Sequence, residues 1–306
     1  MSVLCLTTGS SVLAVLLCCL VGWRVHGAAA GLSSALFLGL VFAARLLRLS
    51  GMWPDVIAVC CVLLAFLLLM PAERIPIWRN PGLESPWERM RDALRPGGRP
   101  GARRRKSLRA ADNRVNLGVR SLWRVACAGA IAAPGVVLSG GQGLLVVPLL
   151  AVLAAVSHRE RWLPGGVLLS AAFLGGVAIA AEVFEPVSAD LGEGGALFGG
   201  ELPGSAAWIL RALMLVGAAV SVVNIGYDRR NAAILCMLFF PLVVPYVHPR
   251  TVECSEGPVV PFACILAGLG VGTLWRLGDA LIPRWRRVVR FGVVALMVLV
   301  AIASLK

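Results

Sequence analysis

A chain of 306 residues that is 58% hydrophobic, with a mean hydropathy of +0.84, is too apolar for a soluble globular domain. Its formal charge of +13 would suit a nucleic-acid partner, but the cations sit in loops beside apolar runs. Membrane topology and anionic headgroups account for them there, so nucleic acid is excluded as a partner.

Apolar runs of spanning length follow one another along the chain. The first three cover residues 3–23, 28–44 and 53–70. The third opens on Trp53-Pro54-Asp55, where proline suits a first helical turn and an aspartate favours the helix dipole. Residues 71–124 then form the long polar segment of the chain, with fourteen of the 29 Lys+Arg residues against five acids. Within it, Ser85-Pro86-Trp87-Glu88 reads as a capping box for a short helix over 86–94, ended by Pro96. From Ser107, apolar residues at helical spacing predict an interfacial amphipathic helix that leads into the fourth span. Spans four and five, 125–138 and 144–156, are short, and Pro134 and Pro148 interrupt them. Spans six to nine follow at 163–181, 206–225, 232–247 and 259–275, and a tenth ends at Ser304.

The fold class predicted is therefore an all-α polytopic membrane protein. It has about ten transmembrane helices and one basic cytoplasmic loop carrying short amphipathic helices. The chain divides into a first membrane bundle of about three spans (1–70), the basic loop with its interfacial helix (71–124) and a second bundle of about seven spans (125–306). Placing 71–124 in the cytoplasm of a cell bounded by an inner or plasma membrane puts 158–162, 227–231 and 276–290 there too, and all three are basic. The loops 139–143, 182–205 and 248–258 fall outside and hold a single Arg between them. Arg45 and Arg48 depart from this rule, since the same alternation places them outside together with both termini.

Signatures of soluble enzymes are missing: the chain has no G-x-x-x-x-G-K-[ST], no G-x-S-x-G and no H-E-x-x-H. Neither a metal nor a cofactor is expected. The nine cysteines contain no C-x-x-C, and the pairs Cys18–Cys19 and Cys60–Cys61 lie in apolar spans as small hydrophobes. His26, His158 and His248 belong to different loops.

Four features could carry function. Asp55, Glu182 and Arg211 all fall near the outer ends of spans and could together hold an ion or a polar headgroup. Arg103, Arg104, Arg105, Lys106 and Arg109 pair charge with an amphipathic helix and suit contact with the anionic lipid surface. Cys254 and Cys264 lie ten residues apart at the outer face and are a candidate disulfide, with Cys5 at the outer end of the first span as the other candidate partner of Cys254. Pro134, Pro148, Pro241 and Pro245 could break helices and free carbonyls at membrane depth. Gly268 and Gly272 form a G-x-x-x-G, whose expected use is packing within the chain.

The balance favours a non-enzymatic multi-pass protein. It would be either transporter- or permease-like or a membrane subunit of a larger complex, with partners in the membrane or at the cytoplasmic loop. The alternative is a membrane-embedded enzyme acting on a lipid-linked substrate at the outer face.

Overall fold

Apolar segments must satisfy every backbone N–H and C=O internally when water is absent, and the helix does this within one segment. In the computed structural model, the described residues are 3–46, 53–70, 119–138, 146–156, 159–183, 204–225, 228–247, 259–280 and 283–304, and they form ten α-helices and no strand. We number them α1 (Val3–His26), α2 (Ala28–Leu46), α3 (Trp53–Leu69), α4 (Val119–Leu138), α5 (Val146–Val156), α6 (Arg159–Val183), α7 (Gly204–Asn224), α8 (Arg230–Val247), α9 (Val260–Ala280) and α10 (Pro283–Ser304). Among the described residues, four stretches, Thr7–His26, Leu163–Glu182, Gly204–Asn224 and Val260–Leu277, are long and apolar enough to cross a membrane. The shorter apolar helices include Ala28–Ala43, Val56–Leu69 and Leu122–Leu138.

Each helix coincides with one apolar run, and several reach further into the polar flanks than hydropathy suggests. α1 continues through Arg24 to His26, α6 starts at Arg159, and α9 continues past Arg276 to Ala280. Arginine is a good helix former, so a charged flank ends the apolar run without ending the helix. The expected proline breaks do not occur. α4 runs through Pro134 and α8 through Pro241 and Pro245, while Pro148 falls in the first turn of α5, where its missing N–H has no intrahelical role. The carbonyl that Pro134 leaves without its usual donor is that of Ala130, and α6 packs against this spot through Gly176.

The tightest helix contacts are made by small residues. α9 lies between α2 and α7. A carbon added at Gly268 or Gly272 would collide with Ala30 of α2, and one added at Gly217 of α7 would overlap the Leu266 carbonyl. The G-x-x-x-G thus packs within the chain, and Gly270 supplies a close approach to Leu213 on the other side of the same helix. α4 is flanked in the same way by α3, through Gly135 on Ala58 and Cys61, and by α6, through Gly129 on Leu169. Packing pairs close into a ring: α1–α3–α4–α6–α5–α8–α7–α9–α2, returning to α1, with α10 against α9, α7 and α2. Every residue from 259 to 273 is buried, and Phe262 meets Phe66 of α3 edge-on at 5.1 Å. Outward faces remain apolar, as Leu16 and Leu20 of α1 and Val167 and Leu174 of α6 show. Exposed apolar surface on this scale suits a lipid surround and not water.

The expected helices within 71–118, together with Arg103, Arg104, Arg105, Lys106 and Arg109, lie outside the described residues. So do Cys254 and the acids of the loop after α6.

Candidate functional site: an arginine clamp on helix ends

A helix leaves its last four carbonyls without intrahelical donors, and cations are favoured there by the macrodipole. α1 meets this need largely with arginines from elsewhere in the chain. Gly27, at φ +92°, turns the chain directly from α1 into α2 and returns its N–H to the Trp23 carbonyl at 2.9 Å. Arg230, at the start of α8, donates to the Arg24 carbonyl at 2.7 Å. Arg276 of α9 donates to the His26 carbonyl and lies 3.0 Å from His26 Nδ1. Arg24 in turn donates to the Leu67 carbonyl at the end of α3, at 3.3 Å. The ends of α1, α3 and α9 and the start of α8 are thereby held together at one end of the bundle.

Arg230 is 2% exposed, so its charge must be compensated within the protein. Asp228 does this from two residues away. Arg230 Nε donates to both carboxylate oxygens at 3.0 and 2.9 Å, and Nη2 to Oδ2 at 2.7 Å. The same carboxylate accepts from the Arg230 backbone N–H at 3.1 Å, which fixes the start of α8. Asp228 is itself buried, and its backbone N–H closes on the Asn224 carbonyl of α7 at 2.9 Å. Beside the clamp, Arg290 of α10 lies over the Trp275 ring at 5.0 Å.

Chemically this is a fastening. A guanidinium keeps its proton and cannot act as base or nucleophile, and Asp228 is fully engaged. Among the described residues, His, Cys, Asp and Glu do not gather in groups able to hold a metal ion.

The residues singled out from sequence lie elsewhere. Glu182 is exposed at the end of α6. Arg211 of α7 is half-buried and sits over the ring of Trp208, one turn earlier in its own helix, at 5.6 Å. Asp55 is in the first turn of α3, with its side chain outside the described set. The α3 of Asp55 and the α6 of Glu182 both pack mainly on α4, whereas the α7 of Arg211 packs mainly on α9. Cys264 is fully buried in α9. The clamp residues Arg24, His26, Asp228, Arg230 and Arg276 were legible only as loop residues. The one local signal was Asp228, an acid in a basic loop just ahead of an apolar run. No known protein family matches the chain, and no curated protein does.

Proposed function

We propose that the chain is a ten-span integral membrane protein that works without catalysis, as a rigid membrane subunit of a larger assembly. The observation that carries this reading is the burial of α9 from residue 259 to 273, between α2 and α7 and fastened to α1 by Arg276. A central helix locked at backbone contact suits a scaffold better than a moving part. In native membranes solubilised in mild detergent, the chain should migrate in an assembly larger than the purified chain forms alone. Migration at the same size in both preparations would sink the subunit reading.

The orientation proposed places the clamped end, and segment 71–118 with Arg103–Lys106 and Arg109, at the cytoplasmic leaflet of the plasma or inner membrane. Supporting it, hydrogen bonds gather four helix ends that the alternation of basic and acidic loops assigns to one side. A cysteine introduced at Gly194 should react with an impermeant thiol reagent from outside, and one at Gly101 should stay unreactive until the membrane is opened. The reverse labelling would invert the topology.

A permease-like reading is favoured by one feature of the ring. The glycine-packed groups α3–α4–α6 and α1–α2–α9–α7 meet along α1/α3, at the Phe66–Phe262 contact and through the α5/α8 pair, without the backbone-to-backbone glycine contacts found inside each group, and groups joined in this way can rock. Spin labels at Ala171 of α6 and Ala212 of α7, both exposed, separate the two readings. A rigid subunit gives one narrow distance distribution in nanodiscs, whereas a rocking permease gives two. The lipid-linked enzyme stands behind both, because its support from Asp55, Glu182 and Arg211 is positional.

A further inference from the structure

The face of α10 turned away from the bundle carries a pattern that packing does not explain. Val293 and Val300 are buried toward the other helices, and Met297 receives the Ser33 hydroxyl of α2 at 3.7 Å. On the opposite side, Phe291, Val294, Val298 and Ile302 are between 47% and 73% exposed. Their spacing of three, four and four residues puts them in one stripe along the helix. Arg287 is exposed and stands one turn before Phe291, at the head of that stripe, and Arg290 flanks it with its guanidinium over Trp275. α10 contains four arginines in its first eight residues and no acid anywhere.

Resting on the membrane reading above, we propose that this face is a binding site for an anionic phospholipid. Arg287 and Arg290 take the phosphate, and one acyl chain lies along Phe291, Val294, Val298 and Ile302. Length supports the assignment. The stripe from Phe291 to Ile302 covers eleven rises, about 16 Å at about 1.5 Å each, and one leaflet of hydrocarbon is about 15 Å deep. Charge supports it as well, because guanidinium groups match phosphate geometry and α10 offers no carboxylate to compete. A free phosphate would use the arginines but not the stripe.

The test is native mass spectrometry of the full chain, delipidated in neutral detergent and titrated with phosphatidylglycerol or phosphatidylcholine. Phosphatidylglycerol should be retained preferentially. R287Q should weaken retention about fivefold and R287Q/R290Q about thirtyfold, the factors expected for one and two basic side chains at an anionic surface. R287K should hold most of it, since a point charge remains. Equal retention of the two lipids, or wild-type retention by R287Q, overturns the site. Displacement of the lipid by millimolar inorganic phosphate overturns the lipid assignment in favour of a free-phosphate site. Flotation with pure phosphatidylcholine vesicles keeps the two levels apart. Wild type and both glutamine variants should float alike, whereas a wild-type chain that fails to float overturns the membrane reading and the site with it.

Discussion

Replacing Asp228 with Ala should cost about 3–5 kcal/mol of stability, the range for removing one partner of a buried pair. The reason is the state of Arg230 afterwards. It is 2% exposed and would keep a full charge without the carboxylate that now compensates it. Arg230→Ala should fall in the same range for a different cause, since it leaves the buried Asp228 carboxylate unpaired and uncaps α1. Replacing both, as Asp228→Leu with Arg230→Met, should recover most of the loss, because two apolar side chains of similar volume need no compensation. Denaturation in mixed micelles, followed by circular dichroism, reads all three. If Asp228→Ala unfolds at the wild-type denaturant concentration, the pair is not holding the helix ends. If the double variant is as unstable as the singles, burial of charge is not the cause.

The second large effect concerns glycines, where one substitution should have opposite signs at different sites. Gly217→Ala places a carbon on the Leu266 carbonyl, and backbone on both helices leaves nothing flexible to give way. Overpacking of this kind costs about 1–3 kcal/mol and more when the backbone must separate. Gly175→Ala on α6 and Gly292→Ala on α10 meet nothing within 4 Å. There the better helix propensity of alanine should stabilise by up to about 1 kcal/mol. Equal effects at Gly217 and Gly175, measured by the same denaturation, would mean that α7 and α9 do not touch backbone to backbone.

Much of the fold was legible because the residues that decide it are neighbours in sequence. The onset of α2 at Ala28, of α3 at Trp53 and the end of α10 at Ser304 all follow from where apolar runs begin and stop. The clamp was not legible, because its partners are remote. Arg230 and Arg24 are separated by 206 residues, and Arg276 and His26 by 250. Nothing local distinguishes an arginine that caps a helix from one that only sets topology. Prolines misled for a related reason. Pro134 removes one hydrogen bond, but whether the helix yields depends on what packs beside it, and α6 packs there through Gly176.

By itself the sequence determined that the chain forms apolar helices and where each one lies, because a backbone without water must bond within its own segment. Only the tertiary structure decided which helix is central. α9 and α6 are both apolar enough to span, yet α9 is buried without a break from 260 to 273 and α6 shows much of its surface. Hydropathy cannot separate the two cases, since lipid tails and a protein interior are equally apolar solvents. What separates them is close fit: Gly268, Gly270 and Gly272 let α9 meet helices on two sides at backbone distance, and only the assembled neighbours show which glycines are used that way.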